Sequence, residues 1–371
     1  MRPSLLHMAV AAKALAPRIL ALRRYREGGP FAPPFKVKFF VTYRCNLRCV
    51  HCNLWSLPPC DEEMTAAEYE TLFRRNPDLF FVSFSGGEPT LRDDLPDLIR
   101  MAARYARGPT VISVNLNGFW VERTVDAIRE ALSGLDRRSR LIAAVSSDGP
   151  EPNHNLMRRN TEAYARAERT IAGLRAMEGD RLEVRRNICV SPINIEAMPD
   201  YLAMLGAAGE KHHLCFYQAG GHYAHTPEHF RAAAEFSRRL PAFLPVISQA
   251  ERAADPLGRI YLDLADAFYR EPRRGSVWPC YSSIAAVSVG PTGTVFPCIN
   301  HERALGDLRA SEFDLRALLA QEKAARVRSL IAAGRCPGCW TPNEAYATIL
   351  CNLFDPVRLW QWLRIRLSHL V

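Results

Sequence analysis

From residue 36 onward the chain alternates short β-branched or aromatic runs with segments whose apolar residues recur at the helical period. Runs at 37–42, 79–84, 110–115, 141–146, 182–190 and 214–217 predict six strands, and helical patterns lie near 65–75, 95–106, 121–132, 161–177 and 196–208. Repeated βα units of this kind imply a parallel sheet. Six units suffice for a three-quarter barrel, in which the chemistry belongs on the loops that follow the strands. The alternation breaks at Ala219-Gly220-Gly221, after which residues 226–275 are mainly helical and connecting. No internal repeat goes beyond the βα alternation, and no stretch is of low complexity.

The two ends differ from the body. Positions 1–30 carry a net +5 and positions 357–371 a further +3, so together they account for +8 of the chain's formal +9. The body is therefore close to neutral, unlike a nucleic-acid enzyme with its basic binding face, and no nucleic acid is expected as partner. At the N-terminus a short apolar run ends at Lys13, Pro17 and Arg18, too soon for a membrane span, and is taken as a surface helix. Near the C-terminus, Leu359, Trp360, Leu363, Leu367 and Leu370 share one helical face, with Arg358, Gln361, Arg364 and Ser368 opposite. Such a basic, tryptophan-bearing helix suits a membrane surface. Packing on the body or on a second subunit is the plainer expectation for it and stands ahead of the membrane surface.

With 371 residues, 48% hydrophobic and 23% charged, the chain has an ordinary globular composition, but its eleven cysteines are many and odd in number. They cluster rather than scatter, which points to metal ligation in a reducing, cytoplasmic setting over a disulfide framework. Cys45, Cys49 and Cys52 form a C-x3-C-x2-C loop directly after the first strand. Three thiolates on one loop can bind three irons of a cubane cluster and leave the fourth without a protein ligand. Zinc is the chemical rival, with His51 available as a fourth ligand. After the second strand comes Ser85-Gly86-Gly87-Glu88-Pro89, whose adjacent glycines leave backbone groups open to a ligand.

The cysteine loop after strand one, with Gly-Gly-Glu-Pro after strand two, resembles the radical S-adenosylmethionine superfamily over roughly residues 36–217. The resemblance implies that Cys45, Cys49 and Cys52 ligate a [4Fe-4S] cluster whose open iron is chelated by the amino and carboxylate groups of S-adenosylmethionine. It implies reductive cleavage of that cofactor to a 5′-deoxyadenosyl radical. A low-potential donor such as flavodoxin or ferredoxin would supply the electron. Ser85, Gly86, Gly87 and Glu88 would hold the amino-acid moiety, and His51 stands where relatives place an aromatic residue near the adenine. Asn115-Leu116-Asn117-Gly118 resembles the family's Thr-Asn-Gly turn, which makes Asn117 a cofactor contact. Ser146-Ser147-Asp148-Gly149-Pro150 resembles its Ser-x-Asp-Gly-Pro segment, which assigns Ser146 to polar groups of the cofactor and Arg158 to its carboxylate. Each of these turns could equally close a βα unit.

Cys280, Gly293, Cys298 and the Cys336-Pro337-Gly338-Cys339 turn resemble the auxiliary-cluster extension called SPASM, or its short form, twitch. By this resemblance Cys280, Cys298, Cys336 and Cys339 close one auxiliary [4Fe-4S] cluster, with zinc again the chemical rival. Ala345 and Ile349 stand where a second auxiliary cluster would need cysteines. Cys351 fits the pattern poorly and is taken as a core thiol, an extra ligand or a hydrogen-atom donor. Cys60, Cys189 and Cys215 are expected to be structural. The fold expected is α/β, a partial (β/α)6 TIM-like barrel with a small auxiliary-cluster domain and helical termini. Its divisions are 1–35 (basic helical segment), 36–225 (radical barrel), 226–277 (helical connection), 278–352 (SPASM/twitch-like) and 353–371 (amphipathic basic helix).

His222, Tyr223 and His225 follow the sixth strand, where a histidine could take a proton from a substrate. The expected activity is removal of a hydrogen atom from an unactivated C–H bond, with one electron passed to the auxiliary cluster. Peptide or protein maturation stands first among substrates, although the segment before Cys45 is short for the leader-binding domain some relatives carry. A sugar or aminocyclitol dehydrogenase or epimerase is the second reading. A lipid or isoprenoid enzyme peripheral to the inner membrane face is the third. A non-catalytic iron–sulfur electron carrier is the alternative of another class.

Overall fold

The inner strands carry a strict two-residue alternation, and that alternation decides what the barrel encloses. The computed structural model describes residues 5–58, 60, 62–221, 223, 225–251, 256–271 and 277–368. Six strands, β1 Lys36–Thr42, β2 Phe81–Gly86, β3 Val111–Leu116, β4 Arg140–Ser146, β5 Leu182–Val190 and β6 His212–Phe216, pair in parallel in sequence order. Three further strands, β7 Ala286–Val289, β8 Thr294–Phe296 and β9 Gly306–Asp307, lie on the other side of β1. Strand β7 runs parallel to β1, with Lys36 opposite Ala286 and Phe39 opposite Val289, while β8 and β9 add antiparallel. The result is one open sheet in the order β6-β5-β4-β3-β2-β1-β7-β8-β9, the α/β partial barrel expected, with the C-terminal strands built onto the same sheet.

Successive side chains of a strand point to opposite faces. Val37, Phe39, Val82, Phe84, Ile112, Val114, Leu141 and Ala143 join the main apolar core with the helices outside the sheet. Ile188, Val190, Leu214 and Phe216 do the same in a second core further round. The intervening residues Lys38, Ser83, Ser113, Asn115, Arg185, Asn187 and His213 face inward and line a cavity. A closed (β/α)8 barrel fills its interior with branched apolar layers. Here the main apolar cores lie outside, and the inside stays hollow, with polar strand residues set among apolar ones such as Phe81 and Ile142.

The helices are α1 Leu5–Arg26, α2 Ala66–Arg75, α3 Leu95–Arg104, α4 Val121–Ser133, α5 Glu151–Arg158, α6 Ala163–Arg175, α7 Met198–Ala207, α8 Pro227–Ala250, α9 Pro256–Arg270, α10 Leu315–Ala320, α11 Glu322–Ala332, α12 Pro342–Asn352 and α13 Pro356–Ser368. Thr65 and Glu68 form a capping box at the start of α2, and Asp314 caps α10. The single helical pattern near 161–177 is α6 alone. A separate α5 precedes it, ended by Arg159 in the left-handed region at φ 51°. From Leu15 onward α1 is more than a surface helix, because Leu15, Ile19 and Leu22 are buried with Phe35, Phe80 and Cys351. Leu15 also borders the cavity, so α1 closes the end opposite the cysteine loop.

The C-terminal α13 packs on α9 through Trp362 and Ile365, with Trp362 Nε1 donating to Asp263 Oδ2 at 2.9 Å. Leu359, Trp360 and Leu363 remain exposed, beside exposed Phe354 and Val357. Leu370 lies outside the described residues. Among the described residues no helix is long and apolar enough to cross a membrane.

Candidate active site

Strand β1 ends at Thr42, and the next residues turn across the mouth of the barrel as the cysteine loop. Three hydrogen bonds pin that loop: Val50 N to Met157 O at 2.9 Å, His229 Nε2 to Val50 O at 3.1 Å and Asn53 N to Tyr223 O at 2.7 Å. The loop is thus held by α5, α8 and the segment after β6. Cys45, Cys49 and Cys52 border one end of a cavity of about 800 Å³. Asn117 Nδ2 lies 3.9 Å from Cys45 Sγ, and Arg158 Nη1 lies 3.7 Å from Cys49 Sγ, so two donors already face the sulfurs. Burial pushes the Cys45 and Cys52 thiols up to about 12. Among the described residues no three histidine, cysteine or carboxylate side chains converge on one ion-sized point. A cubane asks for something else, since its three thiolates bind three separate irons.

The loop after β2 comes next to it. A side chain on Gly87 would place its Cβ 2.0 Å from Arg44 O, and one on Gly86 would meet Thr42 O at 2.3 Å. The two glycines therefore let the β2 loop lie against the base of the cysteine loop, and both border the cavity with Ser85. Glu88 sits elsewhere. Its Oε1 accepts from Thr90 Oγ1 at 2.8 Å and its Oε2 from Asn117 N at 2.7 Å, which ties the β2 loop to the β3 loop. Asn117 is fixed in turn, donating to Asn46 Oδ1 at 2.6 Å.

Arg158 is committed to Asp148, which it meets at 2.6 Å. Burial alone would raise the Asp148 carboxyl, but the guanidinium outweighs it and holds that carboxyl below the usual carboxylate range. Asp148 N donates to His154 Nδ1 at 3.0 Å, and Cys189 N donates to Asp148 Oδ1 at 3.1 Å. Asp148 had gone unassigned in the sequence, although it lies in the Ser-Ser-Asp-Gly-Pro segment quoted there. Ser146 and His51 border the cavity. Burial, reinforced by the nearby Arg158 charge, pushes the His51 imidazole down to about 4, and its Nδ1 has no partner among the described residues.

Of the three residues after β6, His222 lies outside the described residues. Tyr223 borders the cavity, its hydroxyl 3.1 Å from Ser85 Oγ. His225 clamps the cysteine loop instead: its Nε2 accepts from Asn53 Nδ2 at 2.9 Å. Gly221, with φ 57°, explains the break in pattern there. A Cβ on it would meet Ile299 O at 2.1 Å, so the segment after β6 runs directly against the residues that follow Cys298.

Cys280, Cys298 and Cys339 form the second thiol group, with Cys336 exposed beside it. Burial raises all three thiols, and the carboxylate of buried Glu344 raises each of them further. Glu344 is held by Asn343 Nδ2 at 2.6 Å and by Thr341 Oγ1. Ile299, Asn300, Thr341 and Asn343 border the same cavity as Cys45 and Cys49. Cys351 is fully buried in the core beneath α1. Cys189 and Cys215 are opposite each other on β5 and β6, and both face the cavity.

Three separate thiols at the mouth, donors aimed at two of the sulfurs, a side-chain-free glycine wall and unpartnered His51 Nδ1 together fit an iron–sulfur cluster with a small-molecule ligand beside it. Such a fold and site define a radical S-adenosylmethionine enzyme. Residues 39–205 match the Radical SAM superfamily. The chain is of the SPASM type, with a [4Fe-4S] cluster, S-adenosylmethionine and an auxiliary cluster as its cofactors. It is 29% identical over 273 residues to the PqqA peptide cyclase of Xanthomonas campestris pv. campestris (strain B100), covering 72% of this chain and 67% of that one. A probable GTP 3′,8-cyclase of Methanothermobacter thermautotrophicus (strain ATCC 29096) is 34% identical over 107 residues, 28% of this chain and 34% of that one. Among solved structures, Streptococcus suis SuiB bound to S-adenosylmethionine shares the fold at a TM-score of 0.58 and 15% identity, over 83% of this chain and 70% of that one. Native anSMEcpe with bound AdoMet does so at 0.58 and 14%, over 90% and 100%.

Proposed function

We propose that the chain modifies a peptide or protein by removing a hydrogen atom from an unactivated C–H bond and passing one electron to its auxiliary cluster. The observation that carries this is the shared cavity: the Cys45, Cys49 and Cys52 end and the residues flanking Cys298 and Cys339 border one continuous space. A substrate within it would lie between the two thiol groups. Bound in this site, the cluster and S-adenosylmethionine supply the radical that starts the reaction.

The chain's own residues bind, orient and shield. Gly86 and Gly87 leave main-chain groups open beside the cysteine loop, and Asn117 and Arg158 direct hydrogen bonds at the thiols. Phe40, Leu54 and Ile299 form an apolar wall that excludes water between the two cysteine groups. Tyr223 presents its hydroxyl to the cavity. Support for a peptide substrate comes from the PqqA peptide cyclase relative and from the fold shared with SuiB bound to the precursor peptide SuiA, at a TM-score of 0.53. A flavodoxin- or ferredoxin-like donor would supply the reducing electron.

The test is anaerobic reconstitution followed by dithionite and S-adenosylmethionine, with peptides encoded near the gene as substrates. The expected products are 5′-deoxyadenosine and a peptide lighter by two hydrogens. A fully loaded protein that forms no 5′-deoxyadenosine would sink the radical reading. Formation of 5′-deoxyadenosine with a sugar, and with no peptide, would move the substrate to the second class.

A membrane-surface reading has one observation in its favour, the exposed face of α13. Phe354, Val357, Trp360 and Leu363 stay in solvent there, with Arg364 over the Trp360 ring at 4.8 Å.

A further inference from the structure

Below the cysteine loop the barrel interior holds positive charge and hydrogen-bonding groups that the described residues do not fully satisfy. Lys38 on β1 is opposite Ser83 on β2, which is opposite Ser113 on β3, so the three form one inward-facing row. Lys38 is only 8% exposed, yet its ammonium has no carboxylate partner among the described residues. Its neighbours are the rings of Tyr223 at 5.3 Å and Phe40 at 5.9 Å. Ser83 and Ser113 are buried to a similar degree, and their hydroxyls find no partner among the described residues. Across the cavity Asn187 is opposite His213, and its Oδ1 is buried with no partner among the described residues. Arg185 enters from β5. Its Glu183 partner is shared with Arg140 and Lys211, which leaves the local balance positive. Among the described residues the only acidic side chain bordering the cavity is Asp148, and Arg158 neutralises it at the cysteine end.

An uncompensated buried ammonium is costly, and so is a buried amide oxygen with no bond such as Asn187 Oδ1, while the Ser83 and Ser113 hydroxyls open onto the cavity. Folding tolerates such groups where a ligand completes them. Burial and the surrounding cations push His213 down to about 3, so its ring is a neutral wall and not a competing charge.

We propose that this part of the barrel is a receptor for an oxyanion carried by the substrate, a carboxylate or a phosphate group, bound by Lys38 with Arg185, Ser83 and Ser113. The inference rests on the cavity being the substrate site, and it names the chemistry of the group that enters it. An ammonium and a guanidinium give the charge-assisted bonds such a group takes, and the serine row supplies the remaining donors. Anchoring the substrate this deep would leave the atoms above the anion facing the cysteine loop.

The test uses the reconstituted two-cluster protein with S-adenosylmethionine present. Inorganic phosphate and acetate are titrated separately by calorimetry at ionic strength held constant with chloride, and protection of Lys38 from amine acylation is read by mass spectrometry. At least one anion should bind saturably and protect Lys38. K38M should weaken it about tenfold or more and K38R about threefold or less. Tighter phosphate identifies a phosphorylated substrate, and tighter acetate a carboxylate. If K38M does not fold, S83A with S113A changes no charge and should still weaken the anion several-fold. No binding beyond chloride, or equal weakening by K323M on the exposed face of α11, overturns the proposal. Formation of 5′-deoxyadenosine in the same samples is read independently, so loss of the radical reading and loss of the anion site are told apart.

Discussion

Arg158 holds the Asp148 carboxylate at 2.6 Å while a second guanidinium nitrogen lies 3.7 Å from the sulfur of Cys49. One side chain thus links the loop after β4 to the cysteine loop, 109 residues away in sequence. Removing it leaves a carboxylate buried without its cation. R158M is expected to cost roughly 3–5 kcal/mol in urea denaturation. D148N combined with R158M should recover part of that loss; strict additivity in the double-mutant cycle would mean that the pair does not couple.

The two thiol groups should separate by experiment. C45A, C49A or C52A is expected to abolish 5′-deoxyadenosine formation. C298A or C339A should retain it while iron falls from about eight to about four per chain. Iron and sulfide analysis beside the cleavage assay checks this. Full iron content in C298A would remove Cys298 from the auxiliary site.

Gly87 has no room for a methyl group, since its Cβ would lie 2.0 Å from a backbone carbonyl. G87A is therefore expected to lose roughly 3 kcal/mol and most of its affinity for S-adenosylmethionine, measured by equilibrium dialysis. Gly108 has open space around it. G108A should be neutral or stabilising by about 0.5 kcal/mol, which separates crowding from a general intolerance of alanine.

His212 on β6 meets Glu251 after α8 through Nε2. Burial lowers the His212 pKa, but the hydrogen bond to Glu251 and the charge of its carboxylate outweigh it, and the folded value stands above the ordinary one. A raised folded pKa means stability that is fully present below the unfolded value and lost as pH rises through the folded one. Denaturant stability should thus fall as the pH rises past about 6.5, the ordinary imidazole value. E251Q should flatten that slope. A slope unchanged in E251Q would assign it to other groups.

The exposed face of α13 predicts binding to anionic vesicles that weakens with salt. W360S with L363S should reduce sedimentation with phosphatidylglycerol vesicles several-fold and leave thermal stability nearly unchanged, because neither side chain is in the core. Equal pelleting of both proteins would remove this face from the membrane argument.

Much of this molecule was legible in its residues, for physical reasons that differ by element. Strand β5 matches the expected 182–190 run because Leu182, Val184, Ile188 and Val190 recur at even spacing along it, with charged and polar residues between them. The cysteine loop and the glycine pair were legible because their chemistry permits few substitutes. Lys38, Arg185 and His213 were not. An inward-facing polar residue on a barrel strand has the same two-residue alternation as a solvent-facing one, and only the three-dimensional structure shows that its side faces a cavity. Tyr223 and His225 were expected together at the substrate, but the turn at Gly221 sends one to the cavity and the other to Asn53. The pairing of β7 with β1 left no local signal either, since Ala286–Val289 is a four-residue Ala-Val-Ser-Val run like many others.

That pairing bears on how the protein is made. Strand β1 is synthesised early, but its partner β7 is about 250 residues further along the chain. Until those residues leave the ribosome, one edge of β1 has open hydrogen-bonding groups, just before the three cysteines of the mouth. The nascent barrel must therefore wait, or be shielded, before its first metal loop rests on a finished sheet. An arrested translation product lacking β7 would present that bare edge to other chains.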